Sequence, residues 1–290
     1  MYSVPCLASA VFLDAHVHLR PRFDVQDFLQ HAYLNFHTVS VATCRSDLFS
    51  GVLLLTEAAD EQSFSSLKKS AASAKSSPDA DNPGWSFVQT DESCSLIAVS
   101  GNRKLALVAG CQVFTQEKLE VLVLGTENRI RDGLPITNVL EWAKSSKLIH
   151  VLPWSPGRWL FGRGKIIERL LQSRPPCDLF VGDNGSRPWF WALPSKIKRA
   201  QGNGFRLLSG SDPLPLPGEH RRPGSFGCYA HFDLDWTQPW SSVQQNLRQA
   251  NLTLHSYGRP IGALSFLVKE VGMQLTKGTR RRANYYGRSS

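Results

Sequence analysis

The sequence predicts an α/β protein, a parallel barrel or an open α/β sheet in which strands alternate with helices. Three observations carry this. Apolar runs of strand length alternate with amphipathic stretches of helix length along most of the chain. The strands end in functional residue types at their C-terminal sides: His16 and His18, Glu57, Gln112, Trp154, Asp183 with Asn184, and Asp212. In a barrel such ends converge on one mouth. Finally, 290 residues with 42% apolar and 20% charged content suffice for one large core of globular composition. The expected organisation is an N-terminal arm (1–9), one distorted barrel domain (10–275) and a basic disordered tail (276–290).

The first strand is the apolar run Ala10-Val11-Phe12-Leu13 leading into Asp14-Ala15-His16-Val17-His18. Phe23 to Cys44 reads as a helix, with apolar positions at Phe28, Leu29, Ala32, Tyr33, Phe36 and Val39. Gly51 to Glu57 is continuously apolar up to Thr56, as buried parallel strands are. Residues 68–84, rich in Ser, Ala, Lys, Asp and Pro, read as a loop or helix end. Ser93 to Ser100, Leu105 to Phe114 and Glu120 to Leu124 form a β-rich patch, a meander inserted into the alternation. Leu134 to Lys144 is helical, with Pro135 in its first turn. Strands then follow at Lys147 to Pro153, Asp178 to Gly182 and Phe205 to Ser209, with helices at Gly164 to Gln172, Trp189 to Ala200, Ser242 to Asn251 and Ile261 to Leu275. No internal repeat is present.

No apolar run approaches the ~20 residues that span a bilayer, and no basic segment precedes the first apolar stretch as in a secretory signal. The six cysteines are far apart, without a CxxC pair. That argues against a thiolate zinc site and fits reduced thiols in the cytoplasm. Much of the formal charge of +9 sits in the tail, at Lys277, Arg280, Arg281, Arg282 and Arg288. Tails of this kind can touch RNA, DNA or anionic lipid, and the tail is the one place where nucleic acid could bind, but a solvated, disordered terminus is the commoner explanation. No membrane partner is expected.

Two histidines spaced i, i+2 on a strand point their imidazoles to one face, and side by side at a strand end they make half of a metal site. Asp212 would supply a third, charged ligand, although Ser-Asp-Pro is also good turn chemistry. In Gly182-Asp183-Asn184-Gly185-Ser186-Arg187-Pro188, Asp183 or Asn184 would hold a water or ligand and Arg187 an anion, or the segment is simply an Asn-Gly turn. Two long Gly- and Pro-rich loops carry Arg158, Arg221 and Arg222, cations suited to phosphate or carboxylate and equally ordinary as solvated loop residues. There is no Gly-rich phosphate loop in a strand–turn–helix context and no GxSxG elbow, which disfavours dinucleotide binding and serine hydrolysis.

From His16-Val17-His18 onward the sequence resembles the PHP (polymerase and histidinol phosphatase) family of metal-dependent phosphoesterases. Leu54-Leu55-Thr56-Glu57-Ala58 resembles that family's strand ending in Thr-Asp-His. Val108-Ala109-Gly110-Cys111-Gln112-Val113 resembles its Pro-Gly-x-Glu strand, and Leu119 to Gly125 the hairpin that follows. Leu152-Pro153-Trp154 falls where His-Pro is usual, and Gly210-Ser211-Asp212-Pro213-Leu214 where Ser-Asp-x-His is usual. The resemblance, over roughly residues 11–225, implies a distorted TIM-like (β/α)7 barrel and a metal-dependent hydrolase. His16, His18 and Asp212 match ligands, and Asp24 sits about where a further ligand belongs. The family's bridging glutamate is here Gln112, and histidines expected near Ala58, Leu122, Pro153 and Leu214 are missing. An uncharged amide bridges two cations poorly, so the trinuclear centre of the family is not expected. What is left is a one-ion site for Zn, Mn or Fe, formed by His16, His18 and Asp212 with Gln112 or water, or a relic that takes no ion. The functional expectation is a phosphoesterase-like hydrolase of an anionic small molecule. Glu57 or Asp183 would be general base, and Arg187, Arg158, Asn184, Arg221 and Arg222 would hold the substrate. The alternative is an inactive binding or scaffold protein that recognises an anion or a partner.

Overall fold

The computed structural model describes residues 9–73, 84–155, 157–159, 161–172, 175–185, 187 and 190–259. The expected arm apart from Ser9, the closing helix over Ile261 to Leu275 and the basic tail lie outside the described residues.

β1 (Ala10–Val17) is buried along its whole length. α1 (Val25–Cys44) starts at the N-cap Asp24, whose carboxylate accepts from the Asp27 amide at 2.9 Å, and buries the stripe Phe28, Leu29, Ala32, Phe36 and Ser40. β2 (Ser50–Leu55) pairs with β1 in parallel and is fully buried, as a strand covered on both faces must be. α2 (Ser63–Ser73), β3 (Ser86–Gln89), β4 (Ser95–Ser100), β5 (Arg103–Val108), β6 (Gly110–Phe114) and β7 (Glu120–Leu124) follow. The chain continues through α3 (Ile136–Ser145), β8 (Ile149–Pro153), α4 (Phe161–Leu170), β9 (Leu179–Gly182) and α5 (Ser195–Gly202). A 3-10 turn at Glu219–Arg221, β10 (Gly227–His231), α6 (Pro239–Arg248) and β11 (His255–Tyr257) complete it. Among the described residues, no helix is long and apolar enough to cross a membrane.

The strands form a seven-stranded sheet, in the order β11-β10-β1-β2-β5-β4-β3, and a four-stranded sheet, β6-β7-β8-β9. Neither closes into a barrel, which corrects the expected TIM-like (β/α)7 architecture. The reason lies in the connections. Parallel neighbours need a long crossover, and among the described strands only β1–β2, β2–β5 and β8–β9 are parallel pairs. From β3 to β7 no helix intervenes. β4 turns back at Gly101 to pair antiparallel with β5, and β6 turns back to pair antiparallel with β7. Hairpins replace the crossovers that a barrel of parallel strands requires.

The chain changes sheets at Ala109-Gly110, between β5 and β6. A Cβ at Gly110 would lie 2.6 Å from the carbonyl oxygens of both Leu55 and Val123, so the corner closes only around glycine. Single backbone bonds tie the two sheets together here: Glu57 N to Gly110 O at 3.2 Å and Gln112 N to Glu57 O at 3.0 Å. On the opposite side, the segment 206–212 runs between β9 and β1. Leu208 N donates to Val181 O (2.9 Å), Ala15 N to Ser209 O (3.0 Å) and Asp212 N to His16 O (2.7 Å). This is the strand expected over Phe205 to Ser209, reduced to one isolated bridge between Val181 and Leu207.

The core has three parts. Val11, Leu13 and Ala15 of β1 pack between the sheets with Val52, Leu54, Leu122, Val151 and Phe180. Phe12, Val17 and Leu19 face the other way, onto α1 and α2 through Phe28, Phe36, Phe64 and Leu67. α3, α4 and α5 cover the other face of the four-stranded sheet through Val139, Ile167 and Ile197. α5 begins at Ser195, behind Pro194, and not at Trp189 as expected; the residue before a proline is disfavoured in helix.

Candidate metal centre

The site begins with an irregularity in β1. Against β2, Asp14 pairs with Leu53 and Val17 with Leu55, so three steps on β1 meet two on its neighbour. That is a β-bulge. Its effect is legible in the packing, because Val11, Leu13 and Ala15 face the space between the sheets whereas Val17 and Leu19 face the helices. The reversal sends His16 and His18 inward together, on one face as their i, i+2 spacing predicts. Opposite them lies Gly210, where a Cβ would come within 2.1 Å of His16 N. Its absence lets the backbone of 209–212 lie flat on β1. Asp212 then takes a left-handed conformation (φ 46°), which aspartate tolerates better than most residues.

These elements bring three ligand atoms together, all within 4.8 Å of one another. His16 Nε2 lies 3.3 Å from His18 Nε2 and 3.5 Å from Asp212 Oδ1, and His18 Nε2 lies 3.8 Å from the same oxygen. Gln112 Oε1 is 3.4 Å from His16 Nε2. Four ligands about 2.1 Å from a tetrahedral ion stand about 3.4 Å apart, so this donor set has the dimensions of a metal site. His16, His18 and Asp212 form a group able to hold a metal ion. Both histidines are buried, and the Asp212 side chain is 16% exposed, leaving an approach from solvent.

The electrostatics favour the ligand forms. Burial pushes the His16 imidazolium down to about 4, against a partial pull back by the Asp212 charge, so the ring is neutral at pH 7 with a free lone pair. Burial alone would raise Asp212, but the adjacent His16 and His18 and an amide bond from Asn184 outweigh it and hold the carboxyl at about 2. Asn184 Nδ2 donates to Asp212 Oδ2 at 2.8 Å, which leaves Oδ1 for the histidine side. Behind His18, its Nδ1 faces Glu61 Oε2 at 3.1 Å, and Glu61 is in turn paired with Arg20 and accepts from Ala58 N at 2.9 Å. A carboxylate on the far nitrogen of a ligating histidine sets its tautomer and ring orientation.

The other expected site residues divide into those drawn to the centre and those held elsewhere. Gln112 and Asn184 touch the ligand group directly. Arg158 reaches it at one remove, through Glu120 Oε1 (2.9 Å), and Glu120 accepts from Gln112 Nε2 at 2.6 Å. Burial pushes Glu120 up to about 7, with the Arg158 charge opposing. Arg222 lies close enough for its charge to act on Asp212, while its guanidinium contacts Glu219 Oε2 at 3.4 Å. Arg221 is exposed, its Nε toward His220 Nε2 at 3.3 Å. Asp24 is the exposed N-cap of α1 and does not join the ligand group. Glu57 is buried against Arg129 and accepts from Phe64 N at 2.6 Å, and burial raises its pKa. Asp183 forms a buried ion pair with Arg187 and accepts from Gly185 N at 3.1 Å.

Four residues of this region were not singled out from the sequence: Asp14, Glu61, Arg20 and Glu120. Asp14 carried a signal, standing i−2 from His16 on the same strand. Its fully buried carboxylate accepts from Ser211 N (2.7 Å) and Gly224 N (2.8 Å), fixing the backbone beside Asp212.

No family model and no curated protein matches this chain. Among solved structures it is similar to PsfC from Pseudomonas syringae PB-5123, with a TM-score of 0.48 and 12% identity over 92% of this chain and 99% of that one. It is also similar to PfuEndoQ, a lesion-specific endonuclease from Pyrococcus furiosus, with a TM-score of 0.47 and 12% identity over 86% of this chain and 59% of that one.

Proposed function

We propose that this chain is a metal-dependent hydrolase of an anionic, phosphoester-type substrate, working with one divalent ion (Zn, Mn or Fe) on His16, His18 and Asp212. The supporting observation is the convergence of those three ligand atoms around a common point, with His18 backed by Glu61 and Arg20. A divalent ion held by His16, His18 and Asp212 would supply Lewis acidity and lower the pKa of a water there. The chain's own residues prepare that chemistry. Burial keeps His16 neutral, Glu61 engages the far nitrogen of His18, and Asn184 turns Asp212 toward the histidines. Arg222 lies close enough for its charge to act on Asp212 and suits an anionic group. Arg129 and Arg187 already occupy the carboxylates of Glu57 and Asp183, so we assign these two to holding the rim in place of the general-base role.

The test is metal content and turnover together. Protein supplied with Zn, Mn or Fe should carry about one equivalent of ion and hydrolyse a simple phosphodiester or phosphomonoester. His16→Ala with His18→Ala should abolish both while leaving the melting transition in place. Retention below roughly a tenth of an equivalent after supplementation would remove the catalyst. An anion found on the metal-free protein would then favour the binding-module reading.

A further inference from the structure

Gln112 occupies an unusual place among the ligands because a carboxamide has two different ends. Its oxygen can bind a cation and its NH2 cannot. What decides which end faces His16 lies on the neighbouring strand. Gln112 Nε2 donates to Glu120 Oε1 at 2.6 Å, and Arg158 Nη2 reaches the same oxygen at 2.9 Å. The Arg158 guanidinium is itself seated over the Phe114 ring, 4.9 Å from its centroid. The Gln112 residue is 7% exposed and the Glu120 side chain 11%, so water offers little competition. The Arg158 guanidinium can only donate, so the Glu120 oxygen that it shares with Gln112 is an acceptor. It therefore takes the NH2 end of Gln112 and turns Oε1 toward His16 Nε2, where it lies at 3.4 Å.

We propose that Glu120 is a positioning residue of the metal centre: anchored by Arg158, it locks the Gln112 carboxamide with its oxygen inward, as the fourth ligand of the ion. This rests on the metal reading above. Without Glu120 the amide can turn over and offer its NH2 to the ion, and the centre keeps only three protein ligands.

The experiment is a double-mutant cycle read as Zn affinity against a competing chelator. Glu120→Ala and Gln112→Ala should each weaken binding by roughly 10- to 100-fold, the range for residues that orient a ligand. In the Gln112→Ala background, Glu120→Ala should add far less, because the route through the carboxamide is gone. Glu120→Gln, which keeps an acceptor oxygen for Gln112 Nε2, should recover part of the loss and also serves if the alanine variant fails to fold. In the metal-free protein, the Gln112 side-chain NH2 should give a slowly exchanging NMR signal that Glu120→Ala abolishes. If wild type binds Zn and Glu120→Ala binds it equally well, the proposal is overturned and the metal reading stands. An undiminished effect in the Gln112→Ala background also overturns it, since Glu120 then acts by another route. If wild type binds no ion, both readings fall.

Discussion

Glu61→Gln separates support of the metal centre from support of the fold, because Glu61 serves both. Its carboxylate is 3% exposed, faces His18 Nδ1 at 3.1 Å, accepts from Ala58 N at 2.9 Å and pairs with Arg20. Burial alone would raise its pKa, but the His18 bond, the charges of His18 and Arg20 and the Ala58 amide outweigh it and lower it. Glutamine keeps the volume but replaces one acceptor with a donor. Breaking a buried ion pair costs about 3–5 kcal/mol when one partner is left without solvent. The Arg20 side chain is 20% exposed, so roughly 2–3 kcal/mol is the better expectation. For a chain of this size that is a fall in Tm of about 4–12 °C. The loss of His18 orientation should weaken metal binding by roughly 10- to 100-fold, or about 1.4–2.7 kcal/mol. Calorimetry of the metal-free variant reads the first quantity and chelator competition the second. A lowered Tm with Zn affinity within about twofold of wild type, well below the loss expected from an orienting residue, would refute the carboxylate–histidine argument. Glu61 would then be a residue of the fold alone.

Two further expectations concern the backbone around the site. Gly210→Ala places a Cβ within 2.1 Å of His16 N; either β1 or the 209–212 segment must shift, so metal affinity should fall together with stability, by several kcal/mol on the scale of overpacked sites. Asp14 is fully buried, and desolvation raises its pKa from 3.8 to about 6, with the Ser211 and Gly224 hydrogen bonds opposing. The native state therefore binds more protons than the unfolded chain between these values, and the Asp14 contribution to stability falls as pH rises from about 4 to 6, then stays constant. The difference, 6 minus 3.8 or about 2 units, corresponds to about 3 kcal/mol. Urea unfolding at stepped pH should show that slope in wild type and lose it in Asp14→Asn; an unchanged slope would exclude Asp14 as its source.

The parts of the fold that were legible were those dictated by local apolar pattern. β1, β2, α1, α3, β8 and β9 lie where the runs predict them, because each buries an unbroken apolar face. The antiparallel meander was legible as a β-rich patch, and β4–β5 and β6–β7 are antiparallel pairs. Its division between two sheets, with the run Leu105 to Phe114 split at Ala109, was not legible. That is why an alternating pattern suggested a barrel where two open sheets stand. β3, β10 and β11 escaped for another reason. They are short, and each has polar or partly exposed positions that break an apolar run.

The site divides along the same line, between local spacing and long-range charge pairing. His16 and His18 are two residues apart, and Asp183 and Arg187 four apart, so those relations stand in the sequence itself. The partnerships that decide the chemistry do not. Glu61 meets His18 across 43 positions, and Arg129 meets Glu57 across 72. The sequence marks Asp212 as a ligand and Glu57 and Asp183 as bases, but it shows neither the roles of Glu61 and Glu120 nor which arginine answers each carboxylate. The structure separates them by their partners. Glu57 is answered by Arg129, Glu61 by Arg20, Glu120 by Arg158 and Asp183 by Arg187. Asp212 forms no ion pair with an arginine among the described residues; its oxygens meet one amide and two imidazoles. Asp212 is held ionised by its imidazole neighbours, the Asn184 amide and the more distant Arg222 charge, with no guanidinium in direct contact among the described residues. A divalent ion on His16, His18 and Asp212 would add positive charge where their three ligand atoms already lie within 4.8 Å of one another.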